Sequence, residues 1–173
     1  MRSEQRRQML LDILKETTQP ISAAALAARF DVSRQVIVGD VALLRSAGED
    51  INATPRGYVM GQKHSGFVRR IAVKHSPAET EAELNAIVDQ GCTVEDVIVE
   101  HPVYGQLIGS LQISNRYDVS QFINRCSSFA AHPLSNLTEG IHLHTLICPD
   151  EAAYLRVKQI LHDMGMLFEE QNT

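Results

Sequence analysis

The sequence predicts an α+β chain of two domains, an N-terminal winged helix-turn-helix and then a ferredoxin-like split βαβ domain with an extra C-terminal helix. Three observations carry this reading. Ala24-Ala25-Leu26-Ala27-Ala28-Arg29-Phe30 and Ser33-Arg34-Gln35-Val36-Ile37 flank the short turn Asp31-Val32. Two runs of strand-forming residues surround Pro55-Arg56-Gly57. Beyond them the signals follow the order strand, helix, strand, strand, helix, strand and helix.

The first helix spans 3–17, with Met9, Leu10, Ile13 and Leu14 on one face and Arg6, Arg7 and Lys15 elsewhere. Thr17-Thr18-Gln19-Pro20 ends it, because proline disfavours helical geometry in the residue before it. A second helix covers 21–30, its small residues Ala24, Ala25 and Ala28 allowing a close crossing. Ser33 suits the N-cap of the third helix, where Ile37, Val41 and Leu44 recur at helical spacing and face inward. Arg34, Gln35, Val38 and partly Val36 then turn outward, toward base edges if this helix enters a major groove. Ala47-Gly48 stops the helix. Residues 51–60 form a hairpin wing with Arg56 at its tip, placed for a phosphate or the minor groove. Gly39 is unexpected in a recognition helix, costing roughly 1 kcal/mol against alanine.

Gly61-Gln62-Lys63-His64-Ser65-Gly66 reads as a linker, which sets the domains at 1–62 and 63–173. A strand over 67–75 leads to Ser76-Pro77-Ala78-Glu79, a capping-box pattern with proline at the first helical position. The helix that it opens closes near Gly91. Strands follow at 96–100 and 106–113, a helix at 119–129, a fourth strand at 141–148 and a last helix at 150–164.

At 173 residues and 44% hydrophobic content the chain has the make-up of a soluble globular protein. It shows no membrane-length apolar run and no signal-peptide pattern, so a cytoplasmic protein is expected. Cys92, Cys126 and Cys148 are odd in number and lack CxxC spacing, which reads as small buried hydrophobes without a disulfide framework. Residues 1–62 balance at +1 against a total of −5, so the rest of the chain carries −6. That distribution argues against nonspecific coating of nucleic acid and allows a specific reader with a few well-placed arginines.

His142 and His144, two apart in a strand, project from one face, while Ile141, Leu143, Thr145 and Ile147 point the other way, toward the covering helices. Two imidazoles on one face are a start for a divalent transition-metal site. His75 at a strand end and Glu83 on the capped helix complete a three-histidine, one-carboxylate set with positions left open for a small anion. His101, before Pro102-Val103-Tyr104-Gly105, is a further candidate for metal or ligand. The alternatives are ordinary ones: histidine pairs occur on exposed sheet faces without metal, and Glu79, Glu81 and Glu83 suit the N-terminal turns of a helix. His64, His132 and His162 follow no pattern, and Arg116 and Arg125 fit either a carboxylate or a solvated helix face.

Val32-Ser33-Arg34-Gln35-Val36-Ile37-Val38, Leu43-Leu44-Arg45 and Thr54-Pro55-Arg56-Gly57-Tyr58 resemble the N-terminal domain of the niacin-responsive transcriptional repressors. His75, His101-Pro102-Val103-Tyr104-Gly105, Pro133-Leu134 and Gly140-Ile141-His142-Leu143-His144-Thr145 resemble their three-histidine domain. The resemblance implies a cytoplasmic, non-enzymatic repressor of niacin uptake or NAD synthesis genes, with nicotinic acid as co-repressor. It also implies one divalent metal ion on His75, Glu83, His142 and His144, with Ni, Zn, Fe and Mn not distinguished. His101 and Tyr104 are ligand candidates, and Ser33, Arg34, Gln35, Val38 and Arg56 are DNA-binding candidates. A homodimer would place two recognition helices about 34 Å apart, or a multiple of that, on double-stranded operator DNA. The rival readings are a metal-responsive repressor without an organic ligand, a metal-dependent hydrolase fused to a DNA-binding domain, and a C-terminal domain that only dimerises.

Overall fold

A computed structural model describes residues 2–61, 65–129 and 132–169. The chain forms two compact units, Met1–Lys63 and His64–Thr173. The middle of the expected linker, residues 62–64, and with it the expected boundary and His64, lie outside the described residues.

In the first unit, α1 (Ser3–Glu16) buries Leu10, Leu11 and Leu14 and leaves Met9 half exposed. Helix α2 (Ala23–Phe30) starts later than its sequence suggests, because Ser22 is its cap and accepts the Ala25 N–H at 3.1 Å. Ile21 is therefore extended, not helical. It exchanges two 2.8 Å backbone hydrogen bonds with Tyr58 and adds a third short strand to the hairpin of β1 (Ile51–Thr54) and β2 (Gly57–Met60). Gly57 is required there, with φ +138° and no room for a Cβ against the Ile21 carbonyl. The later start also rotates the buried face of α2 onto Leu26, Ala27 and Phe30, leaving Ala24, Ala25 and Ala28 exposed.

Asp31, in left-handed backbone, closes α2, and Ser33 Oγ accepts the Val36 N–H at 3.3 Å to open α3 (Arg34–Ser46). Ile37, Val41 and Leu44 face inward as their spacing predicts. So does Asp40, which the sequence reading passed over. Arg6 donates to its carboxylate through Nε at 2.6 Å and Nη2 at 3.2 Å, tying α1 to α3 by a two-pronged ion pair. Arg6 thus has a structural role that its position off the apolar stripe did not reveal.

The second unit contains β3 (Phe67–Lys74), a 3-10 turn (Pro77–Glu79), α4 (Thr80–Val88), β4 (Thr93–His101), β5 (Gly105–Ile113), α5 (Arg116–Ser128), a second 3-10 turn (Leu134–Thr138), β6 (Ile141–Cys148) and α6 (Glu151–Asp163). Asn115 and Asp150 cap α5 and α6 through their side-chain oxygens. The sheet is antiparallel in the order β3-β6-β4-β5, and residues of α4, α5 and α6 share one core with Ile71, Val73, Val94, Leu111, Ile113 and Leu146. Each helix-linked strand pair is split by a third strand, as expected of a split βαβ domain. The order departs from the ferredoxin-like one in its centre, where the last strand, β6, sits between β3 and β4. Element order alone permits both arrangements; the alternating full burial along β6 suits a strand paired on both edges.

Residues 166–168 cover the outer edge of β3, with the Lys74 N–H donating to the Met166 carbonyl and the Phe168 N–H to that of Ala72. Cys92 and Cys148 are buried, as read from sequence, but are joined as a disulfide, which the sequence reading did not expect. The 56-residue separation hides a pairing that the adjacency of β4 and β6 creates.

A Cβ on Gly39 would meet nothing within 4 Å. Gly39→Ala is therefore expected to stabilise the N-terminal unit by about 1 kcal/mol, read as a higher midpoint in chemical denaturation; an unchanged or lower midpoint would show that the glycine serves the folded unit in some other way.

Candidate metal centre

The core face of β6 holds the most unusual group in the chain. His142 and His144 pair in register with Val73 and Ile71 of β3, so both imidazoles point under the helices with Leu146 and Cys148. This reverses the orientation expected from sequence, where Ile141, Leu143 and Ile147 take the helix side. Both faces of β6 carry aliphatic residues, so polarity misassigns them; the histidines tolerate burial because a carboxylate meets them there.

That carboxylate is Glu83 of α4. The capping box opens the 3-10 turn that leads into α4, with Glu79 Oε2 accepting the Ser76 N–H at 2.9 Å. Glu83 then falls one turn further along, on the side of Leu84 and Ile87 that faces the sheet. It is 0% exposed, and His75, His142 and His144 are 8%, 4% and 3% exposed. His75 Nε2 lies 2.7 Å from Glu83 Oε2, while His144 and His142 Nε2 lie 3.1 and 3.5 Å from Oε1. The ligand atoms of His75, Glu83 and His142 all fall within 4.8 Å of one another.

The protonation pattern follows from the other nitrogen of each ring. His75 Nδ1 is 2.8 Å from the Ser76 carbonyl, His142 Nδ1 is 2.9 Å from that of Gly140 and His144 Nδ1 is 2.6 Å from that of Asp96. A carbonyl only accepts, so each Nδ1 carries the proton. The three neutral rings would then aim three Nε2 lone pairs at an oxygen pair that also only accepts. Such a cluster requires either extra protons or a cation. Glu83 Oε1 and His144 Nε2 are buried without a hydrogen-bond partner, so the donor set fits a divalent transition metal, with nitrogen and carboxylate ligands and each ring fixed by its backbone partner.

Without metal the electrostatics run the same way. Burial pushes the Glu83 carboxyl up, but the charge of His144 and the close approach of all three imidazoles outweigh it and hold the group well below its ordinary 4.5. Burial pushes His75 and His144 down; contact with Glu83, helped by backbone carbonyls, raises both above 6.5.

Gly140 is a contributor that sequence reasoning placed in a motif without giving it a role. At φ +91° it offers its carbonyl to His142, and a Cβ there would lie 2.5 Å from the His75 carbonyl oxygen. The glycine immediately ahead of the strand bearing the histidine pair was the available signal. Asp96 was also missed; it holds His144 through its carbonyl and the Thr145 N–H through Oδ1 at 2.9 Å.

The structure does not bring His101 and Tyr104 into this buried group. His101 Nδ1 accepts the Val103 and Tyr104 N–H groups at 3.1 and 3.2 Å, so the ring braces its own hairpin, and Tyr104 is exposed beside it. Arg116 is occupied by Asp89, which its Nε meets at 2.8 Å. In the first unit Ser33 serves as a cap, Arg34 and Gln35 are exposed, and Val38 is half-buried. Arg56 is half-buried in the hairpin turn, where its N–H donates to Thr54 Oγ1.

An HTH domain matches residues 6–59 and a 3H domain matches residues 68–170. The chain is 44% identical over 167 residues to the "Probable transcription repressor NiaR" of Thermotoga maritima, covering 96% of this chain and 95% of that protein. It is 46% identical over 169 residues to the "Transcription repressor NadR" of Bacillus subtilis, covering 95% and 94%. The chain belongs to the niacin-responsive repressor family. As a member it is a transcription repressor with a DNA-binding helix-turn-helix domain. Among the described residues no helix is long and apolar enough to cross a membrane.

The raised imidazoles and lowered carboxyl give this repressor a pH signature in the absence of metal. The histidine contribution to stability is present below 6.5 and lost as pH rises through the higher folded values; the Glu83 contribution is present above 4.5 and lost only on falling through a value well below it. Chelated protein should therefore melt at a lower temperature as pH is raised from about 6 to 9, and a divalent metal should reverse that loss, because binding to neutral imidazoles strengthens as protons leave. Thermal melts across pH with and without chelator check this; a melting temperature that stays flat in chelator would contradict it.

Proposed function

We propose that this repressor controls genes of niacin uptake or NAD synthesis, binding operator DNA as a homodimer with nicotinic acid as co-repressor. In this reading residues 1–62 read the operator and residues 63–173 sense the ligand. His75, Glu83, His142 and His144 hold one divalent transition metal per chain. The ion would supply positive charge to a pyridine carboxylate in a domain that otherwise carries net negative charge. The observation that carries the proposal is the convergence of three Nε2 atoms on the Glu83 carboxylate, with each Nδ1 already committed to a carbonyl.

A cavity of about 620 Å³ adjoins the group at His75 and supports access for a small molecule; it is lined by Lys74, His75, Ser76, Asn136, Glu139 and Gly140. On the DNA side, Ser33 sets the start of α3, and Arg34, Gln35 and Val38 meet bases while Arg56 approaches the backbone. The ligand strengthens repression to the extent that it binds the DNA-competent dimer more tightly than other forms.

Titration calorimetry of the metal-loaded protein with nicotinate and with nicotinamide tests the ligand reading, and operator binding measured in parallel tests the coupling. Nicotinate should bind at least about tenfold more tightly than the amide, and chelator should abolish the difference. Equal affinity for acid and amide would refute the carboxylate's role, and operator binding that follows metal while ignoring nicotinate would make the metal itself the signal.

A further inference from the structure

The two edges of the C-terminal sheet are treated differently. The outer edge of β3 is occupied by residues 166–168 of the same chain. The outer edge of β5 is paired with no strand among the described residues. From Gly105 to Ser110 the ladder with β4 is regular, and it breaks only at a bulge opposite Val94 and Asp96, where Gln112 takes a positive φ. Alternate residues of this stretch turn both N–H and C=O away from β4, which makes a template for another strand.

Proteins usually guard such an edge with charge or proline. The β5 sequence, Gly-Gln-Leu-Ile-Gly-Ser-Leu-Gln-Ile, has neither, in a region of the chain with net charge −6. Ile108, in the middle of the regular stretch, is 60% exposed. We propose that this edge is where a second copy of the chain docks, β5 pairing antiparallel with the partner's β5 about a two-fold axis near Ile108.

The occupant follows from the chemistry of the strip. An extended backbone satisfies its hydrogen bonds, and an identical strand run antiparallel brings no like charges together. Because the β3 edge is already filled, pairing through β5 uses the one open edge of the C-terminal sheet among the described residues and closes as a dimer instead of growing into a fibre. The inference rests on the dimeric reading above and adds the location of the interface.

Sedimentation velocity across a concentration series, on the full metal-loaded chain, tests it. Wild-type protein should be dimeric, Ile108→Lys should raise the dimer dissociation constant at least about tenfold, and Leu155→Lys, on an equally exposed site of α6, should change it less than about twofold. Circular dichroism confirms that each variant is folded. Hydrogen exchange on the unmodified protein gives a second reading, in which amides of 105–110 become protected as concentration rises. A wild-type dimer with those amides unprotected, or an Ile108→Lys variant that remains dimeric, would overturn the β5 interface and leave the dimer standing. A monomeric wild type would overturn both.

Discussion

Three backbone carbonyls, from Ser76, Gly140 and Asp96, each take the Nδ1 proton of one histidine and thereby aim three Nε2 atoms at a single buried carboxylate. The remainder of the C-terminal unit can be understood as what makes this possible. The capping box opens the 3-10 turn ahead of α4, and Glu83 falls on the sheet side of that helix. The central place of β6 puts His142 and His144 between β3 and β4, and Gly140 lets the chain pass against the His75 carbonyl. A buried set of four acceptors is costly unless a positive charge joins it. That cost is the physical reason to connect this domain with a cation, and through the cation with an anionic effector.

The two units illustrate different kinds of legibility. In the first, local rules sufficed for α3, because the Ser33 cap and the spacing of Ile37, Val41 and Leu44 are short-range signals. They failed at Ile21, whose extended state depends on Tyr58, far along the chain, and at Asp40, whose burial depends on Arg6. In the second unit, the order of the β-strands and α-helices along the chain was readable from periodicity and caps, while the 3-10 turn Leu134–Thr138 and the Asn115 cap of α5 were not. Nor was the order of the strands within the sheet, because it depends on which faces find partners in three dimensions.

The same distinction runs through the site. The identities of His75, Glu83, His142 and His144 could be assembled from spacing and from the family resemblance, yet the face was inverted. Aliphatic Ile141, Leu143 and Ile147 say nothing about which side of β6 is dry when His142 and His144 between them meet their own counter-charge. The carbonyl partners were invisible for a simpler reason: any residue can supply a carbonyl, so only Gly140 left a trace in the sequence. His101 and Tyr104, attractive as a motif, lie outside this buried group, on a hairpin that the His101 ring braces.

The central claim is that His75, Glu83, His142 and His144 converge on one cation. Crystals of the protein grown with a divalent transition metal, with diffraction recorded on both sides of that metal's absorption edge, test it most directly. The account predicts a single anomalous peak per chain about 2.0–2.2 Å from the three Nε2 atoms and a Glu83 oxygen. A peak elsewhere, or none while these side chains remain hydrogen-bonded to one another, would contradict it.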